Sequence, residues 1–382
     1  MARRRALVPQ LTASPTAGGG RTRGSRVRAA LAVGVLVLAA AAVVVLVAPD
    51  RLGLADRTPI AQLVALRGLV ACLLVGGGLL LVGAVEAWRR VAGRAGLRRP
   101  GRRLPLALAA VLALGAAAQA AVLVGRGVDG SGLGPAAQDE LVVLSFNTFG
   151  VVRPDDLTAL VQQQDADLVV LAETSGSTAR AVARALTAAG RPTTALAADS
   201  ESSRVDGVAL LVRDALGGYA QSSAGLPATE LGTFAAVRAG DAPAADAGVE
   251  ADGRPATAPA PDVVVAAHTR APSAESSMPD WRAHAAGIAE VCRSTPGAIV
   301  AGDLNATLDH PGLDDLGPCV DAAAETGAAG LGTWPADVPR VLAAPIDHVL
   351  VDGRAWRVTA FGVLGRVGAS DHRPVVAHLA RR

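Results

Sequence analysis

Lysine is absent from this 382-residue chain, so every basic residue is an arginine. Alanine, glycine, valine and leucine dominate, which is the mark of a GC-rich coding background; single arginines and alanines therefore carry little meaning by their frequency. Cysteine is nearly absent. Three are too few for a disulfide scaffold and lack the spacing of a zinc site. Cys72 lies in an apolar run, whereas Cys292 and Cys319 flank residues 299–306, either as a bridged pair or as two small buried thiols. Aromatics are scarce as well, with one Tyr, four Phe and four Trp, which leaves little surface for stacking nucleic-acid bases. No internal repeat is present.

The net charge of +2 conceals a split. Residues 1–138 carry 18 arginines against Asp50, Asp56, Glu86 and Asp129, a net of +14, and residues 139–382 carry 18 arginines against 30 acidic residues, a net of −12. Segments that differ so much belong in different surroundings. The first contains three apolar runs, 29–48, 68–85 and 104–125, the last broken only by Gln119. Each is close to the ~20 residues that cross a hydrocarbon core. A cleaved signal peptide and buried soluble helices are the alternatives, but the first run is long for a signal and has no small-x-small cleavage site behind it. Arginine placement orients the spans. Seven precede the first run and seven (Arg89, Arg90, Arg94, Arg98, Arg99, Arg102, Arg103) separate the second from the third, whereas Arg51 and Arg57 lie between the first two. The tail and the second loop are therefore expected in the cytoplasm, and everything after the third span outside the cell membrane. Glycines 76–78 suit close helix packing. The organisation expected is a disordered basic tail over 1–28, a three-span membrane region over 29–126, a linker over 127–139 and a catalytic domain over 140–382.

In the acidic part, strands are expected at 141–146, 168–172, 208–212, 232–237, 263–267, around 299, and at 346–351, 357–363 and 375–379. Helices are expected at 155–164, 177–189 and 280–292. Helices spread among more numerous strands point to an α/β or α+β sandwich. Residues 239–261, rich in Ala, Pro, Asp and Gly, read as a surface loop or disordered insertion.

The run Ile299-Val300-Ala301-Gly302-Asp303-Leu304-Asn305-Ala306 organises the rest. If it is a strand, Asp303 and Asn305 point the same way from its end, a proton-accepting carboxylate beside a neutral carboxamide. That pair suits holding a water next to a phosphoryl group; taken alone, it is more often the signature of a turn. Other strand ends repeat the pattern: Ser145-Phe146-Asn147-Thr148, Ala172-Glu173-Thr174, Ala267-His268-Thr269-Arg270, Ile346-Asp347-His348 and Ser370-Asp371-His372-Arg373. Singly, Glu173 could be a helix N-terminal charge, His268 a core histidine and Asp371-His372 a turn.

Together and in this order the six motifs resemble the endonuclease/exonuclease/phosphatase superfamily (deoxyribonuclease-, sphingomyelinase- and inositol-phosphatase-like) over about 140–382. Gly332-Thr333-Trp334 is similar to that family's Thr-Trp element. The resemblance implies an α/β fold, a four-layer α/β sandwich preceded here by three transmembrane helices. It implies Glu173 as the principal Mg²⁺ (or Mn²⁺) ligand, with Asn147 and Asp371 near the same ion. It implies Asp303 as the group that orients or deprotonates the attacking water, and Asn305 as its holder or a phosphoryl contact. His268 and His372 would meet phosphate oxygens and assist the leaving group, with Asp347 fixing one imidazole. His348 is left as a structural candidate and Arg373 as a candidate phosphate contact. The only roomy variable region is 239–261.

The expectation is thus a multi-pass membrane-anchored, extracytoplasmic metal-dependent phosphoesterase whose partners are a phosphoester and the membrane. Lipid or small phosphoesters are favoured over nucleic acid, which the charge of −12 would repel. The rivals are an exported nuclease and a catalytically silent membrane-tethered interaction module; a silent copy should have lost some of the eight site residues, and all are present.

Overall fold

The computed structural model describes residues 23–130, 133–223, 225–227, 229–239 and 259–382. Of the tail expected over 1–28, residues 1–22 lie outside the described residues, as does the core of the insertion, 240–258, while 23–28 already belong to the first helix. The elements run α1 (Arg23–Val47), α2 (Ile60–Ala65), α3 (Arg67–Arg94), α4 (Arg103–Arg126), β1 (Leu141–Asn147), α5 (Pro154–Gln164), β2 (Leu168–Ala172), α6 (Gly176–Ala188), β3 (Thr193–Ala198), β4 (Val208–Arg213), β5 (Tyr219–Ser222), β6 (Phe234–Arg238), β7 (Val263–His268), α7 (Met278–Ser294), β8 (Ile299–Asp303), β9 (Cys319–Asp321), α8 (Ala322–Glu325), β10 (Asp347–Asp352), β11 (Trp356–Val363) and β12 (Val375–Arg381).

Two six-stranded sheets, β11-β12-β1-β2-β4-β3 and β5-β6-β7-β8-β10-β9, pack face to face. Alternation along the strands sorts side chains between layers. On β1, Leu141 and Val143 enter the core between the sheets, whereas Val142, Leu144 and Phe146 pack under α5 and α6. On β8, Ile299 and Ala301 face the inter-sheet core and Val300 packs against α7. The order is helices, sheet, sheet, helix: an α/β sandwich of four layers. Central strands buried on both faces read as unbroken apolar runs, which is why they were legible. The strands not anticipated were β3, β5 and β9, all short or half-exposed.

Ahead of the sandwich, three helices are long and apolar enough to cross a membrane, over Arg26–Val47, Arg67–Arg94 and Arg103–Arg126. Of the three glycines expected to pack, only Gly78 is buried, against Ala109 of α4; nothing lies near Gly76.

These helices do not hang from a free linker. Asp309, just past β8, receives Nε of Arg67 at 2.8 Å and NH2 of Arg126 at 2.6 Å, the first residue of α3 and the last of α4. NH1 of Arg67 donates to Oε1 of Gln119 at 2.6 Å, and Nε2 of Gln119 donates to the Leu46 carbonyl of α1 at 2.8 Å. One carboxylate therefore gathers the ends of all three helices. Gly68 packs so closely on the sandwich that a Cβ would fall 1.8 Å from the Val341 carbonyl oxygen. The linker is tied too: Asp129 N–H donates to Gly327 and Gly330 N–H to Gly127. Cys292 and Cys319 form a disulfide joining α7 to β9.

Candidate active site

Topology explains why motifs scattered over 226 residues of sequence can meet. Strand β1 runs parallel to β2, and β7 parallel to β8, so Asn147, Glu173, His268 and Asp303 all emerge at carboxyl ends. Antiparallel β10 starts opposite the end of β8, pairing Asp347 with Asp303. Antiparallel β12 begins beside β1, so residues 370–373 arrive at the same edge. Ser370 fastens that arrival by donating to the Asn147 carbonyl at 2.7 Å and accepting from His372 N–H at 3.0 Å. Crevices of this kind, outside carboxyl ends, are where α/β sheets bind ligands.

The backbone is strained there. Of the four non-glycine residues with positive φ among the described residues, Phe149 (54°), Glu173 (49°) and Asn305 (46°) lie in the mouth; the fourth, Asp165, ends α5. Such conformations cost of order 1–3 kcal/mol each and persist only where surroundings impose them. Gly302 has φ 151°, and a Cβ there would meet the Ala267 carbonyl oxygen at 1.8 Å, so only glycine lets β8 close on β7 just before Asp303.

Asp303 is the hub. Its Oδ2 accepts from Nδ2 of Asn147 at 3.0 Å and lies 3.8 Å from Nε2 of His268 and 3.7 Å from Nε2 of His372. His372 donates through Nδ1 to Oδ2 of Asp347 at 2.8 Å. Glu173 accepts from Nδ2 of Asn147 at 2.9 Å and lies 3.8 Å from His268. Burial pushes the Asp303 carboxyl pKa up, Asp347 adds to that, and the two imidazoles oppose it. Burial likewise raises Glu173, against the Asn147 hydrogen bond.

The two histidines differ. Burial works against charge on both, but at His372 the carboxylates of Asp347 and Asp303 outweigh it and push the pKa up to about 10. At His268 burial wins, and the pKa falls below the usual value. At neutral pH one imidazole is cationic and the other neutral, an asymmetry that spacing alone could not reveal.

With amendments, six of the eight expected residues line one cavity, and Asn147 and Asp347 stand behind them, hydrogen-bonded to Glu173 and Asp303 and to His372 respectively. Asn305 does not follow Asp303 along a strand, because β8 ends at Asp303. Its left-handed backbone lets its N–H cap Oδ1 of Asp303 at 2.8 Å while Nδ2 donates to the Thr269 carbonyl at 2.9 Å. Arg373 is no phosphate contact: its guanidinium is spent on the carbonyls of Gly332, Pro335, Ala336 and Val338. His348 is structural, with Nδ1 on Asp321 at 2.8 Å and Nε2 on the Ala306 carbonyl at 2.9 Å; that hydrogen bond and charge raise its pKa despite burial.

Hard oxygens suited to Mg²⁺ or Mn²⁺ are present. Oδ1 of Asp371 is buried without a hydrogen-bond partner, while its Oδ2 is held by Nε1 of Trp334 at 2.9 Å. Asn147 turns its amide nitrogen to the carboxylates and its oxygen to Phe149 N–H, so it would ligate only with the amide turned over. A second group, Asp303, Asp347 and His372, brings ligand atoms within 4.8 Å of one another. Sequence reading missed the cavity's other wall, Gln62, Ala65 and Leu66, and also Phe149. The only signal was that 49–66 is too short a loop to stray from the ends of the apolar runs it joins.

A sequence model described as "Endonuclease/Exonuclease/phosphatase family" matches residues 144–372. Among solved structures the chain resembles an endonuclease/exonuclease/phosphatase from Beutenbergia cavernae DSM 12333, at 19% identity over 64% of this chain and 72% of that one, TM-score 0.48. It also resembles a mannosyl-6-phosphatase of Bacteroides thetaiotaomicron VPI-5482, at 18% identity over 63% and 99%, TM-score 0.44. A third neighbour is D. rerio TDP2 complexed with single strand DNA product, at 14% identity over 63% and 98%, TM-score 0.45. No curated protein matches the chain.

Proposed function

This chain belongs to the endonuclease/exonuclease/phosphatase family, and from that premise we propose that it is a membrane-anchored, extracytoplasmic phosphoesterase, dependent on Mg²⁺ or Mn²⁺. It hydrolyses phosphodiester or phosphomonoester bonds by attack of an activated water, with lipid or small phosphoesters favoured. The observation that carries this reading is the Asp347–His372 pair aimed at Asp303, with His268 and Glu173 within 4 Å of the same cluster.

In this reading Asp303 takes the water's proton, a role its raised pKa suits. Cationic His372, held in place by Asp347, anchors a phosphoryl oxygen and keeps a proton available for the leaving group. Neutral His268 faces the same phosphate, and Asn305 orients the water through its remaining amide oxygen. Glu173 and Asp371, with Asn147 turned over, would hold the ion, which when bound neutralises phosphoryl charge. Positioning and charge stabilisation are most of what phosphoryl transfer needs.

The location is supported by two facts. The ends of α1, α3 and α4 that meet the sandwich are those opposite the Arg89–Arg103 cluster, the cytoplasmic side by arginine count. A disulfide joins Cys292 to Cys319, as an oxidising compartment permits. The net charge of −12 and the few aromatics weigh against the nuclease reading. The complete set of polar groups weighs against a silent module. The test is hydrolysis by the full chain of plasmid DNA, phospholipid vesicles and soluble phosphoesters, with chelator and with Mg²⁺ or Mn²⁺ restored. Loss with chelator and recovery with metal is expected on lipid or small esters; metal-independent turnover, or efficient DNA cleavage that weakens steeply with salt, would replace this reading.

A further inference from the structure

The sandwich alone does not enclose the cavity above Asp303. It measures about 540 Å³, and one wall is Gln62, Ala65 and Leu66, contributed by the membrane region. Gln62 donates through Nε2 to the Pro272 carbonyl at 2.5 Å, while its Oε1 is buried with no hydrogen-bond partner. Leu66 caps the start of α3, and Leu69, Leu73 and Leu80 follow it on one side of that helix, 3, 7 and 14 residues on. All three are exposed, by 39%, 62% and 76%. A leucine stripe thus starts in the cavity wall and descends the face of a membrane-length helix. The wall is fixed in place. Asp309 clamps Arg67 beside it, and Nε2 of His310 donates to the Ala61 carbonyl of α2 at 3.0 Å.

Building on the phosphoesterase reading, we infer that the substrate is a membrane-resident amphiphile bound partly by the membrane region itself. Its phosphate lies against His268, Asp303 and His372. A hydroxyl or ammonium donor of the headgroup reaches Oε1 of Gln62, which otherwise stays buried and unpaired. Its apolar part leaves over Ala65 and Leu66 and follows the leucine stripe down, out of water all the way. A phosphoester living wholly in water would make no use of an exit that opens onto the side of an apolar helix. The isolated sandwich would lack this wall, so substrate preference belongs to the full chain.

The test places the full-length protein in phosphatidylcholine nanodiscs containing a trace of phosphatidylglycerol, whose headgroup carries hydroxyl donors, with a diazirine near the glycerol end of an acyl chain. Photolysis should label residues 62–73 several-fold more than a diazirine diacylglycerol with the same chains does, because only the former carries a phosphate for the site to hold. Ala65→Trp, which narrows the exit, should remove that excess. Equal labelling by the two lipids, or an excess that survives Ala65→Trp, overturns the inference whatever the activity of the sample. Hydrolysis is then compared on vesicle-borne phosphatidic acid and phosphatidylglycerol and on soluble p-nitrophenyl phosphate and its bis ester. Ala65→Trp should lower kcat/KM on the lipids about tenfold more than on the soluble esters, the order of magnitude of a lost apolar contact. Proportional loss on both classes overturns the wall. Absence of wild-type hydrolysis on all four would sink the phosphoesterase reading, and the labelling alone would then decide the wall.

Discussion

Asp303 and Asp309 are both buried carboxylates close together in sequence, and their surroundings are opposite. Asp309 meets two guanidiniums, Arg67 and Arg126, so its charge is answered. Asp303 is answered only by the neutral amides of Asn147 and Asn305; beside it stand another carboxylate, Asp347, and imidazoles too far for good hydrogen bonds, and near it two acidic oxygens, on Asp347 and Asp371, have no partner. The first arrangement holds two parts of the molecule together. The second is poised for something not of the protein. Pairing with a guanidinium rather than a neutral amide, more than burial or residue type, separates the carboxylate that ties the fold from the one proposed to react.

The sharpest way to break that contrast is to neutralise each. Asp303→Asn should lower kcat on any phosphoester by about a thousandfold or more, within the span expected for losing a general base. Its melting temperature should stay level or rise, since a carboxylate held against burial and Asp347 is removed. A stability loss with activity kept would reverse the roles assigned. Asp309→Ala should do the converse, leaving Arg67 and Arg126 buried side by side at a cost of about 3–5 kcal/mol. Thermal unfolding of the full chain in nanodiscs measures it; an unchanged melt would mean the helix ends are held by packing alone.

His310 extends the comparison to pH. Its Nδ1 accepts from Thr307 N–H at 2.8 Å and its Nε2 donates to the Ala61 carbonyl, so only the neutral ring satisfies both. Burial pushes its pKa down to about 4; the backbone hydrogen bond to Ala61 and the charge of Asp309 oppose the fall, and Arg126 and Arg67 reinforce it. Between that value and the ~6.5 of the unfolded chain, the unfolded state binds more protons, so stability falls as pH falls through this window. The total loss should be about 3 kcal/mol by pH ~4, felt where α2 docks on the sandwich. His310→Gln should flatten this dependence in melts run from pH 7 to 4; an equally steep curve would place the acid sensitivity elsewhere.

The sandwich was legible because its central strands are buried on both faces and its site residues sit at strand ends, where local pattern and chemistry coincide. Asn147, Glu173, His268, Asp303, Asp347 and Asp371–His372 each follow or open an apolar run. Strand β3, Thr-Thr-Ala-Leu-Ala-Ala, shows no alternation, and β5 and β9 have four and three residues, too few for a period. Arg373 was misjudged because a guanidinium meets carbonyls as readily as phosphate, and only the loop at 332–338 decides between them. The clamp on Asp309 left no local pattern in sequence and the wall at Gln62–Leu66 only the shortness of its loop, since they join residues some 180–240 positions apart that share no periodicity. Gln119, the lone polar residue in its apolar run, was the one hint that a span had a polar partner.

The smallest expected effect sharpens the comparison at its subtlest point, the unpaired oxygen. Trp334 lies 37% exposed in the cavity wall, and its Nε1–H fixes Oδ2 of Asp371, leaving Oδ1 buried without a partner. If Asp371 is a ligand, that indole orients it, as outer hydrogen bonds orient metal-binding carboxylates elsewhere. Trp334→Phe keeps the ring's bulk and removes the donor. The concentration of Mg²⁺ or Mn²⁺ giving half-maximal activity should rise about tenfold, by more than kcat falls, because the carboxylate is loosened and the proton-handling trio of Asp303, Asp347 and His372 is untouched. Metal titrations of wild type and variant on one soluble phosphoester give both numbers. An equal fall in kcat with no change in metal dependence would place the ion away from Asp371, and the convergence of Asp303, Asp347 and His372 would become the better candidate for holding it.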